Sequence, residues 1–203
     1  MKTPFGLLDT SAPESRRVGA ALAAGLVAGL SSGAIKMAWE AWLPPRTPDR
    51  EVPPVTLLKE QGADPDSLTY SYNGNDVPWG VLSIHFGFSV VTVAAYSVLA
   101  EYFPKVRLWG GAAYGLGAWL VAHELVLPKQ GLTPAAKDLP VEEHVSEALG
   151  HVVWMWEAEL VRHGVRAALT GAPDAETRRA ALGKLGTTAQ AGAKQVLAAV
   201  KRR

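Results

Sequence analysis

Long apolar runs separated by proline-rich and basic segments set the pattern of this chain. The first run extends from Val18 to Leu43 and is interrupted only by Lys36 and Glu40. The second runs from Trp79 to Phe103 and the third from Leu108 to Leu127. A helix needs about 20 residues to cross a hydrocarbon core of roughly 30 Å, and each run is about that long. The first could also be a cleaved signal peptide, with Ser32-Gly33-Ala34 as the cleavage site. Its apolar stretch exceeds the ~7–15 residues of a signal core, which favours an anchor. A fourth run, residues 141–161, is plainly apolar only in its middle and opens on Glu142, Glu143, His144 and Glu147.

Charge placement decides whether the fourth run is a span. With four spans and the N-terminus inside, the inner segments carry 14 Lys and Arg and the outer loops 5. With three spans, the nine basic residues from Arg162 onward would lie outside, against the positive-inside bias. The expected fold is therefore all-α: an integral-membrane four-helix antiparallel bundle with both termini cytoplasmic. Its expected parts are a cytoplasmic N-terminal segment (1–17), a transmembrane domain (18–161) and a cytoplasmic basic tail (162–203). The expected spans lie at about 18–43, 79–103, 108–127 and 141–161. Residues 44–79 form a proline-rich outer loop, in which Asn73-Gly74 is a hairpin signal. Pro173-Asp174-Ala175-Glu176 reads as a helix start in the tail.

This topology brings the ionisable residues of the apolar runs to one level. Lys36 and Glu40 lie seven and three residues before Leu43, and His123 and Glu124 four and three before Leu127. His85 lies six residues after Trp79, and His144, Glu147 and His151 three, six and ten after Val141. At about 1.5 Å per residue, these groups gather in the outer half, His151 near the midplane. On a helix, His144, Glu147 and His151 share a face. Long side chains near helix ends can snorkel to water, which is one of two readings for Lys36, Glu40, Glu124, Glu142 and Glu143. A short imidazole or carboxylate at depth has no such escape, so His85, His123, Glu147 and His151 are expected to face one another as a polar cluster. Lys36, Glu40, Glu124 and His144 are its secondary members.

Histidine beside carboxylate titrates near neutral pH, so at least one imidazole is expected to change protonation between about pH 5 and 7.5. Imidazole and carboxylate also ligate divalent metals. The ligands here come from separate helices without a compact motif, so no metal or other cofactor is expected and a divalent ion stays the lesser alternative. Gly25, Gly29 and Gly33 stand four apart, as do Gly111 and Gly115, the small-residue spacing through which membrane helices pack. No nucleophile motif, phosphate loop or nucleotide fingerprint occurs, so no enzymatic activity is expected. A net charge of +1 gives no nucleic-acid signal, and the absence of cysteine excludes disulfides and thiolate metal sites.

Several ordered motifs resemble the YagU-like bacterial inner-membrane proteins. They include Lys36 with Glu40-Ala41-Trp42-Leu43-Pro44-Pro45-Arg46-Thr47-Pro48, and Ala100-Glu101-Tyr102-Phe103-Pro104-Lys105-Val106-Arg107-Leu108-Trp109-Gly110. Gly131-Leu132-Thr133-Pro134 and Asp138-Leu139-Pro140 follow, leading to Ser146-Glu147, Gly150-His151 and Val153-Trp154-Met155-Trp156. The resemblance covers about residues 18–166. It implies a multi-pass inner-membrane protein without a settled biochemical activity, and it includes His85, His123, Glu147 and His151 but not His144. The function expected from residues and resemblance together is a proton-responsive membrane protein, linked to acid or envelope stress. Two alternatives are an accessory subunit, whose glycine-rich helices dock a membrane-protein partner or a second copy, and a small transporter or channel. The lipid bilayer is the one partner expected in all three.

Overall fold

The computed structural model describes residues 9–171, and the helix start expected at Pro173 lies outside them. Helix α1 spans Val18–Trp42 and ends before Pro44-Pro45, where missing N–H groups stop the ladder. The proline-rich region after α1 is more structured than its prolines suggest. Pro53 and Pro54 open a short helix α2, Pro53–Glu60, in the first turn where proline costs nothing. Strands β1 (Tyr70–Tyr72) and β2 (Asn75–Val77) pair antiparallel around Asn73 (φ 51°) and Gly74 (φ 74°), the left-handed pair that a two-residue hairpin turn requires.

Helix α3, Trp79–Tyr102, returns alongside α1. A 3₁₀ turn at Pro104–Arg107 leads to α4, Ala112–Trp119, which continues as a π-helical segment over Leu120–Val126 and a last turn, α5, over Leu127–Lys129. Pro128 brings no N–H to the carbonyl of Glu124, so the regular ladder cannot pass through it, and the helix widens just upstream. Helix α6 runs from Val141 to Thr170, nine residues past the expected end of the fourth span. Its extra turns are held by Arg162 on Glu159 and Arg166 on Glu101, so the chain stays in the packed body where a tail was expected.

Helix α1 packs antiparallel against both α3 and α6, which also meet each other where the Trp154 indole donates to Ser89 (2.9 Å). Ser97 and Ser89 of α3 donate to the carbonyls of Ala21 (2.6 Å) and Gly29 (2.7 Å), while Ser31 and Lys36 of α1 meet Glu157 and Glu147 of α6. Glycine makes the first approach close: a Cβ on Gly25 would stand 2.6 Å from Ala94 Cα, one on Gly29 2.6 Å from Val90 Cα, and one on Gly33 2.9 Å from the Phe86 ring. Helix α4 packs on α6 the same way, since a Cβ on Gly115 would lie 2.5 Å from the His151 carbonyl, and one on Gly111 3.0 Å from that of Met155. The five glycines singled out in the sequence thus meet other helices of the same chain. Gly29→Ala should cost about 1–3 kcal/mol, because backbone stands where the methyl would go. Gly19→Ala, with nothing within 4 Å, should be neutral or better. Paired unfolding curves in detergent would test the contrast, and equal losses would contradict it.

The remaining core is small: Ala28, Val93, Tyr96, Trp154, Met155 and Ala158. Around it, leucine, valine and isoleucine side chains such as Leu26, Leu30, Val91 and Leu160 face outward. By length and composition, α1 and α3 are each long and apolar enough to cross a membrane.

Candidate functional site

Glu147 is the centre of the polar site. It sits on the inward face of α6 and is only 2 % exposed. One carboxylate oxygen accepts from Lys36 Nζ of α1 at 3.1 Å, and the other from the Arg46 guanidinium in the segment after α1. Lys36 also binds Glu40, one turn along α1. His123 Nδ1 stands 3.7 Å from one Glu147 oxygen and His151 Nδ1 3.9 Å from the other. The two imidazoles meet edge to face, ring centres 4.9 Å apart. Three of the four residues expected to converge therefore do so, joined by Lys36 and Glu40.

Local structure explains how α4 contributes. His123 and Glu124 both lie in the π-helical continuation of α4, Leu120–Val126, and both reach α6. His123 faces Glu147, and the Glu124 carboxylate meets His144 Nδ1 at 2.6 Å. His144 Nε2 donates to the Ala136 carbonyl at 3.0 Å. With an acceptor at each nitrogen, this ring is fully bonded only as imidazolium, and Glu124 supplies its counter-charge. His144 thus forms a neighbouring pair with Glu124, closer to the loop.

His85 stands apart from the Glu147 group. Its Nε2 donates to the Gly33 carbonyl at 3.0 Å, and its ring lies edge-on to Phe86. The expectation that it faces the other three fails, because the contacts of its ring are with α1 and with Phe86 of its own helix. Depth alone put His85 level with them, and depth does not say which way a ring turns.

The arginines after α1 were not legible as site members. Arg46 and Arg50, four residues apart, bind Glu147 and Glu143, four residues apart on α6. Ser146 donates to the Leu43 carbonyl at 2.9 Å, and Trp39 Nε1 donates to the Ser146 carbonyl at 3.2 Å. The exit of α1 is thereby latched to the first two turns of α6. The matched four-residue spacings were the available signal, obscured because Arg46 reads as the edge of a helix stop.

A second charged layer lies at the other end of the helices. Glu159 accepts from Arg162, Arg107 and the Tyr96 hydroxyl, and Glu101 from Arg166 and the Arg17 backbone N–H, which opens α1.

Ligand atoms of His123, Glu147 and His151 all lie within 4.8 Å of one another, near enough to share a metal ion. The charges beside them argue against one. Lys36 and Arg46 hold the two Glu147 oxygens, and a divalent cation would have to displace both while standing against their charge. His151 Nδ1 is further committed, since it donates to the Glu147 backbone carbonyl at 2.8 Å. The arrangement suits a held carboxylate flanked by two titratable rings.

Residues 30–160 match the model of a family described as "Protein of unknown function (DUF1440)". The protein named "Inner membrane protein YagU" from Escherichia coli (strain K12) is 35 % identical over 198 residues, covering 85 % of this chain and 97 % of that one. No solved structure matches the chain. The matched stretch contains the whole of the Glu147 site, from Lys36 to His151, together with Glu101 and Glu159 of the second layer. On these two matches the chain belongs to the DUF1440 family, alongside the YagU inner-membrane protein.

Proposed function

We propose that this chain is a four-span protein of the bacterial inner membrane, non-enzymatic, with both termini cytoplasmic, and that its Glu147 site is a proton-responsive latch in the outer half. The inner-membrane setting rests on the name of the YagU relative and on the apolar α1 and α3. The two further spans would be α4–π–α5 and the first two-thirds of α6, and the orientation follows the excess of Lys and Arg in the inner segments.

The observation that carries the latch is a carboxylate already held by two cations with two imidazoles beside it. The sequence suggested that Glu147 would be free to neutralise a charged histidine. With Lys36 and Arg46 in place, the charges of α1, the exit segment and α6 already cancel: Lys36, Arg46 and Arg50 against Glu40, Glu143 and Glu147. Glu124 balances His144. A proton on His123 or His151 therefore adds a positive charge that nothing nearby offsets, in surroundings that solvate charge poorly. Releasing Arg46 to water relieves the excess. Acid on the outer side would thus free the α1 exit segment from α6, and the setting this implies is acid or envelope stress.

Single cysteines test the topology, and the chain has none of its own. In intact cells, cysteines at Asn73 and Lys129 should label with a membrane-impermeant maleimide and one at Ala191 should not. Labelling at position 191 would overturn the orientation.

A further inference from the structure

Arg46 has a side chain nine-tenths buried and gives one guanidinium nitrogen to Glu147, but its Nε–H meets no acceptor among the described residues. The indole N–H of Trp119 and the hydroxyl of Thr133 are likewise buried and unpartnered there. These atoms come from the exit segment, α4 and the loop before α6, yet all three side chains line one small cavity, with His123 and Glu124 on its wall. A buried donor left without an acceptor costs about 1–3 kcal/mol, so three around one space point to an occupant that accepts hydrogen bonds.

The chemistry of the walls selects it. Arg46 and Trp119 present hydrogens, which excludes a bare cation. The walls carry three carboxylates, Glu124, Glu143 and Glu147, beside Arg46 and His144, which leaves no surplus positive charge for an anion. The walls leave room for about one water molecule, at the lower limit for holding one. We propose that this cavity binds one ordered water, which accepts from Arg46 Nε–H and Trp119 Nε1–H and bonds with the Thr133 hydroxyl and the His123 ring.

Such a water would give His123 its route to outside protons, a consequence that rests on the proton-responsive reading. Thr133 and Leu139 place the loop before α6 over this cavity, and the Ala136 carbonyl of that loop holds His144. As the water hands a proton to the imidazole, it takes one from outer solvent through the Thr133 side. The water is regenerated, and the site gains one charge.

Nuclear Overhauser spectra of the full chain in lipid nanodiscs, with ¹⁵N-labelled tryptophan and the bulk-water resonance as probe, decide the matter. The Trp119 indole signal is assigned by its loss in Trp119→Phe. A held water gives the Trp119 indole proton laboratory-frame and rotating-frame signals of opposite sign at the water frequency. Thr133→Val, which keeps the side-chain shape, should lose most of that signal. No signal, signals of the same sign from simple proton exchange, or full intensity in Thr133→Val would overturn the proposal. The two readings fail separately: a held water in a protein whose exit segment ignores pH would keep the hydration site and remove the latch. An acid-released segment with no water on Trp119 would do the reverse.

Discussion

Glu147→Gln is expected to destabilise the protein by about 3–5 kcal/mol in detergent, the usual loss when one partner of a buried ion pair is removed. The amide keeps the size of the side chain but leaves Arg46 without its counter-charge and Lys36 with Glu40 alone, and both cations are nine-tenths buried. Four elements lose a common anchor: α1, the exit segment, the π-helical turn and α6. Lys36→Met combined with Glu147→Gln should lose less than the two single changes together, since each single change already breaks the Lys36–Glu147 pair. Additive losses in unfolding curves of the four proteins would mean that Lys36 and Glu147 act independently.

Glu159→Gln should cost a similar amount, about 3–5 kcal/mol, at the opposite end. Its carboxylate accepts from Arg162 at 2.6 and 3.0 Å, from Arg107 at 2.6 Å and from the Tyr96 hydroxyl at 3.0 Å. Arg162 is fully buried, so losing the charge of Glu159 removes its neighbour in the helix and the tie to the start of α4 together. Thermal unfolding is the measurement, and a loss below about 1 kcal/mol would place Glu159 among surface-type pairs. The two variants should also differ in kind. Glu159→Gln leaves the latch intact and should keep any response to acid.

Much of this was legible in the sequence because long apolar helices follow simple rules. The ends of α1 and α3 followed from apolar run length and flanking proline, and the Asn73-Gly74 hairpin from turn chemistry. Level was legible too: Lys36, Glu40, His123, Glu147 and His151 come together as counting from the outer boundary suggested. Azimuth was not. His85 shares their level but bonds the Gly33 carbonyl of α1 instead, and only the packed helices reveal that. The widened turn before Pro128, which carries His123 and Glu124, was also beyond a hydropathy reading. Arg46, Arg50 and Glu143 escaped notice because a charged residue at a span boundary usually snorkels, and pairing between a loop and a helix has no local pattern. The same blindness ended the fourth apolar run at residue 161, where Arg162 and Arg166 read as a tail but bind inside.

The central claim is that protons in the outer half free the α1 exit segment from α6. Electron-electron distance measurements between nitroxides on Thr47→Cys and Glu142→Cys test it most directly. Both positions are exposed, and the chain holds no competing cysteine. In nanodiscs at about pH 7.5 the distance distribution should be narrow, as a latched segment requires. At about pH 5 it should broaden and lengthen, and the change should disappear when His123 and His151 are both replaced by phenylalanine. Identical distributions at the two pH values, or a change that survives loss of both histidines, would contradict the account.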